Sequence, residues 1–98
     1  MSSRIVTSID ARVDRQREEE LREGYRQLNN GPQPDGLLHS VLLRGQSGTW
    51  RIETTWRDVD ALMEVRQSGR PPAALTLLDA LGAEHSHDVF TVEQCHSS

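Results

Sequence analysis

Lysine is missing from this chain: all 11 basic residues are Arg, and they are spread along the sequence rather than clustered. With 15 acidic residues the net charge is -4. Binding to a phosphate backbone requires a concentrated basic face, so nucleic acid is not expected as a partner. Cysteine occurs once, as Cys95, which excludes an intrachain disulfide. No apolar run approaches the length of a membrane span, and the opening "MSSRIVTSID" lacks the apolar core of a signal peptide. The expectation is a soluble, cytoplasmic protein without a membrane partner. There is no Gly-rich phosphate loop, no G-x-S-x-G around a serine, and no carboxylate pair in an apolar setting. Those absences argue against P-loop nucleotide chemistry, serine hydrolysis and two-carboxylate acid–base catalysis.

The residues that are present suit one domain, residues 1–98, with a core over about 4–94 and a short loose tail "CHSS". Hydrophobic residues make up 35% and charged residues 27% of the chain. The mean hydropathy of -0.63 is low for a chain this small, and a second copy could complete the core.

"RIVTSIDARV", residues 4–13, alternates Ile5, Thr7, Ile9, Ala11 and Val13 against Val6, Ser8, Asp10 and Arg12, which predicts a strand. Asp14 is placed to cap a helix with Glu18, Glu19 and Glu20 in its early turns. Its inward stripe is Leu21, Tyr25 and Leu28, and Asn29, Asn30, Gly31 and Pro32 end it. "GLLHSVLLRGQSGTWRIETTW" predicts two strands joined by a turn at Gly45–Gly48. The first is apolar on both parities: Leu37, Val41 and Leu43 on one side, Leu38 and Leu42 on the other. A strand apolar on both faces is covered on both faces. The second places Trp50, Ile52, Thr54 and Trp56 on one side.

Asp58 is placed to cap a helix to about Gln67 that buries Val59, Leu62 and Met63, and "SGRPP" breaks the helical pattern after it. "PAALTLLDALG" then forms a short helix with Leu75, Leu78 and Leu81 inward. "AEHSHD" reads as a polar loop and "VFTVEQ" as the last strand. The order β-α-β-β-α-β is the ferredoxin-like α+β arrangement, a four-stranded antiparallel sheet with helices on one face. Helices on one side leave the other open, and a homodimer through that sheet face is the simplest cover.

The chain resembles the antibiotic biosynthesis monooxygenase family of dimeric α+β barrels. The resemblance covers nearly the whole chain. It rests on the opening strand, the glycine in "PDGLLHSVLLR", and Trp56 ending a strand before "RDVDAL", which fits W-x-D/S-x-x-A-L with Asp58, Ala61 and Leu62. It implies a pocket between sheet and helices, binding a small aromatic ligand. It also implies oxidation of an anthrone- or quinol-type substrate without metal, flavin or other cofactor. The same fold could also serve as a small-molecule-binding homodimer without turnover. Four positions depart from the family's patterns. Val65 stands where many members have His, and Ile52 stands where some cofactor-free oxidases have Asn. Ile9, Val65 and Leu75 stand where haem-degrading members need polar or aromatic groups, so haem degradation is not expected.

The candidate catalytic residues are Trp56, whose indole N–H could donate to a substrate oxygen, and His39, whose imidazole could act as a base near neutrality. The candidate substrate-binding residues are Trp50 and Tyr25, as aromatic surfaces, and Arg66, as a partner for a phenolate. For both tryptophans a core anchor is the competing role. His85, His87, Asp88, Cys95 and His96 invite a metal site. An extended chain would part His87 from Cys95 by about 26 Å, so no metal is expected.

Overall fold

The computed structural model describes residues 3–69 and 72–96. Strand β1 (Ile5–Arg12) leads through a single 3-10 turn, Arg15–Arg17, into helix α1 (Glu18–Leu28). The hairpin β2 (Leu37–Arg44) and β3 (Thr49–Trp56) comes next, then α2 (Val59–Gln67), α3 (Ala73–Ala80) and β4 (Glu84–Thr91). The four strands form one antiparallel sheet in the order β2-β3-β1-β4. This is the ferredoxin-like α+β arrangement, with α2 and α3 together filling the place of the second helix. Among the described residues no helix is long and apolar enough to cross a membrane.

Local chemistry sets the element ends. Asp14 accepts from the Gln16 backbone N–H at 2.9 Å, so its cap acts on the 3-10 turn and not on α1 directly. Three glutamates then occupy the positive first turn of α1. Asp58 caps α2 by accepting from the Ala61 N–H at 2.9 Å. In the hairpin turn, Ser47 and Gly48 both take positive φ, 58° and 79°.

Three expectations need correction. β4 begins at Glu84, and the polar "EHSHD" pairs with β1 along its whole length, Ile9 opposite His87 and Ala11 opposite His85. Polar side chains suffice there because every β4 residue is exposed, and the strand is held by backbone bonding at the sheet edge. A β-bulge in β2 sets two residues, Leu37 and Leu38, against Trp56. Leu37 therefore joins Ser40 and Leu42 on the helix side, while His39, Val41 and Leu43 face the open side. Finally, α2 buries Ala61 and Leu62, whereas Val59 and Met63 are 51% and 40% exposed. The break expected at "SGRPP" and the tail "CHSS" fall partly outside the described residues.

Helices cover the two ends of the sheet and not its middle. At one end Leu21 of α1 and Leu78 of α3, both nearly inaccessible, pack with Ala11, Val13, Trp50 and Leu81. At the other, Ala61 and Leu62 of α2 close over Ile5 and Trp56. Each fully buried leucine contributes about 1.5–3 kcal/mol from desolvation, so these two clusters supply much of the fold's stability. Between them the floor of the sheet is open to a cavity.

Candidate functional site

That cavity encloses about 450 Å³, within the range of small-molecule sites. Its floor is the middle of the sheet: Thr7 and Ile9 of β1, Ile52 and Thr54 of β3, Ser40 of β2. Trp56 and Leu62 wall one end, Tyr25 and Leu28 of α1 one side, and Val65, Arg66 and Leu75 the other. The loop Asn29–Pro34 forms part of the rim, held by Gln33, which donates to the carbonyls of Leu28 and Gly31 at 2.8 and 3.0 Å.

Of the residues singled out from sequence, Trp56, Tyr25 and Arg66 line this cavity and Trp50 and His39 do not. Trp56 and Trp50 share a face of β3, but six residues of strand separate them by about 20 Å. Trp50 sits in the far cluster with its ring under the Arg22 guanidinium at 5.3 Å. Its indole N–H donates to Glu18 at 3.1 Å, so its polar edge is used within the fold. His39 is turned to the open side by the bulge, opposite Thr55.

Trp56 is buried, and its indole N–H donates to the Thr7 hydroxyl at 3.1 Å. The N–H is therefore not free to meet a ligand directly. Thr7 accepts that bond and keeps its own hydroxyl proton. Tyr25 and Ser40 share a hydrogen bond of 2.8 Å, in which either hydroxyl can donate, and one proton of the pair remains available.

Sequence reasoning misses most of the polar lining as site residues, among them Thr7, Ser40, Thr54 and His87. For His87 a signal is present, since His85, His87, Val89 and Thr91 alternate as a strand. Thr7 and Thr54 look like ordinary β-formers until the register is known. No three His, Cys, Asp or Glu side chains among the described residues converge as a metal site. His85 instead lies 2.8 Å from Asp79.

A wider depression of about 700 Å³ lies at the Trp50 end, bordered by Arg12, Arg44, Arg51 and Glu84. It is open to solvent, and Arg51 within it is already paired with Asp10 at 2.6 Å. The less open, largely apolar cavity beside Trp56 is the better ligand site.

No protein-family model matches the chain, and no curated protein sequence matches it significantly. Solved structures do. A proposed antibiotic biosynthesis monooxygenase of Deinococcus radiodurans superposes with a TM-score of 0.74 at 15% identity, covering 96% of this chain and 97% of the other. SnoaB, a cofactor-independent oxygenase of Streptomyces nogalater, gives 0.73 at 19% identity, with 96% and 97% covered, in a mutant form. A third, from Bacillus cereus and also proposed as an antibiotic biosynthesis monooxygenase, gives 0.72 at 12% identity and covers 99% and 100%. The fold of this chain is thus the one these structures share. Identities this low carry the fold alone.

Proposed function

We propose that this chain binds a small, planar, oxygenated aromatic in the cavity beside Trp56 and oxidises it with molecular oxygen, without a metal or organic cofactor. The observation that supports this best is the cavity itself. It is lined mostly by apolar side chains, walled by a tryptophan, and supplied with neutral hydroxyls, one imidazole and the charged Arg66 and Asp88. The oxygenase chemistry of a structural neighbour lends the reaction type.

In the proposed reaction an acidic C–H of an anthrone-type substrate gives up its proton, and the resulting carbanion passes one electron to O₂. Superoxide and the substrate radical combine to a peroxide, which takes up a proton and loses water to leave a carbonyl. One oxygen atom ends in the product and one in water, so no external reductant is needed. The protein's part is to hold the ring flat against Trp56, exclude bulk water, and stabilise the enolate oxygen with hydroxyl donors. Arg66 at the cavity's side supplies positive charge for the same oxygen. His87 supplies the imidazole that can pass protons at the rim, a role His39 cannot fill from the other side of the sheet.

A second reading, binding without turnover, is favoured by a specific observation. The Trp56 N–H is committed to Thr7, and the aliphatic Ile52 and Val65 occupy the floor and wall. Oxygen uptake by the purified protein with a panel of anthrones and dihydroxynaphthalenes separates the two. Uptake above background that falls in Trp56→Phe supports the oxygenase. Tryptophan quenching by these compounds without uptake supports the binder.

The open side of the sheet supports a homodimer. Leu43 and Phe90 are 44% and 53% exposed there, with Val6 and Val41 on the same side. A second copy stacked on this face would bury them, and would also cover part of β4.

A further inference from the structure

The segment between α1 and β2 lies along the rim of the cavity, and little holds it there. Its two ends are fixed. The Asn30 N–H donates to the Gln27 carbonyl at 3.2 Å, and the Gly36 carbonyl accepts from the Arg57 N–H at 2.8 Å. Between them residues 31–35 are all exposed. Pro32 and Pro34 have no N–H, and the N–H groups of Gly31, Gln33, Asp35 and Gly36 have no partner among the described residues. Apart from the turn that closes Leu37 onto the Pro34 carbonyl, the tie found among the described residues is a side chain. The Gln33 amide nitrogen donates to the carbonyls of Leu28 and Gly31 at 2.8 and 3.0 Å, which folds the segment back onto the end of α1. Pro32, Gln33 and Pro34 border the cavity, and Pro72 and Leu75 border it as well.

We propose that residues 31–35 form a strap that closes over the occupied cavity, and that the Gln33 carboxamide is the latch holding it back while the cavity is empty. The proposal rests on reading the cavity as a ligand pocket and adds how a ligand is retained there. Hydrogen bonds exposed to solvent are exchanged for bonds to water at little net cost, so the latch releases easily. Gly31 is the turning point, since a Cβ there would meet nothing within 4 Å. Gly36 cannot turn in the same way, because it is packed against Ala61. The two prolines restrict the strap to few conformations, so it swings as a stiff piece and loses little entropy on closing. Closure carries Pro32 and Pro34, exposed in the empty state, onto the ligand and removes their apolar surface from water. Those contacts exist only in the closed form, and this difference is what allows a ligand to shift the balance.

The test uses the full chain and anthraquinone-2-sulfonate, an aromatic that does not turn over, as the probe. Amide exchange followed by mass spectrometry should be fast over residues 31–36 in the free protein and about tenfold or more slower at saturation. Stopped-flow tryptophan quenching gives the rate of release. Gln33→Ala and Gln33→Glu both remove the donor, and the second keeps the length of the side chain. Without its latch the strap closes more readily, so both variants should release the probe about threefold or more slowly than wild type. A Gln33 that only props the rim predicts the opposite, faster release and weaker binding. Faster or unchanged release in either variant, or exchange over residues 31–36 that saturation leaves unaltered, overturns the strap while the pocket reading stands. Absence of binding by quenching and by calorimetry overturns the strap together with the pocket reading.

Discussion

The Trp56 indole N–H donates to the Thr7 hydroxyl across 3.1 Å, joining the end of β3 to the strand beside it at the cavity wall. The two residues are not opposite each other in the ladder, since Trp56 pairs with Ile5 and Thr7 with Thr54. The bond is diagonal, and it fixes the plane of the indole against the cavity.

Thr7→Val keeps the shape of the side chain and removes the acceptor, which leaves a buried indole N–H unpaired. The expected cost is about 1–3 kcal/mol, read from the urea midpoint. Adding Trp56→Phe to that variant removes the orphaned donor as well. The two changes together should therefore cost less than the sum of the two made singly. An additive result would show that the bond contributes nothing to stability.

Gly36, just before β2, has φ of +86°, and a Cβ there would meet the Ala61 Cβ at 2.5 Å. Its carbonyl also accepts from the Arg57 N–H at 2.8 Å. Gly36→Ala should destabilise by about 1 kcal/mol or more from conformation alone, with the clash adding to it. Since Ala61 lies in the first turn of the helix that closes over Trp56, the variant should also weaken ligand binding, measured by quenching at a temperature where it remains folded.

Arg51 lies 2.6 Å from Asp10 on the open face. Its hydrogen bond holds the Asp10 carboxyl below the ordinary value of 3.8, outweighing slight desolvation, with Coulombic attraction adding to the lowering. A depressed folded-state pKa stabilises the fold above the unfolded value, and the contribution is lost as pH falls through that value and below it. Wild type should therefore lose its small advantage over Asp10→Asn between about pH 5 and about pH 2, as followed by urea midpoints. Both side chains are 47% exposed, so the advantage should also shrink in high salt. A difference independent of pH would remove the ion pair as its cause.

Phe90, 53% exposed on the open face opposite Val6, is the largest apolar side chain available to a second copy. Phe90→Glu should shift the protein toward monomer in sedimentation velocity while leaving its helix content unchanged. A wild-type protein that sediments as a monomer at every concentration would overturn the dimer.

Much of the frame is legible in the sequence because it depends on local chemistry. Asp58 reads as a cap from its place before an apolar run, and the glycine before the second strand proves to be the residue that touches the alanine of "RDVDAL". The features that mislead depend on register. Leu37 and Leu38 are chemically alike, so nothing in the sequence marks an extra residue between them, and strict alternation groups His39 with Leu37, which the bulge turns to the opposite face. "EHSHD" looks like a loop because it is polar, yet an edge strand whose residues are all exposed and which is held by backbone bonding has no need of apolar residues. The cavity's hydroxyls are hidden for a related reason. Ser40, Thr54 and Thr7 lie far apart in sequence, and only the pairing of three strands brings them into one line.

The bulge at Leu38 also determines where this chain can change length. Deleting Leu38 would return β2 to strict alternation with Leu37 and Ser40 still toward the cavity and His39 still toward the open face. A deletion two or three residues further on would reverse one part of the strand relative to the rest, exchanging cavity residues for interface residues. The second strand thus has one position where a residue can be lost without consequence for either face. Related chains that differ in length by one residue in this hairpin are expected to differ at that point.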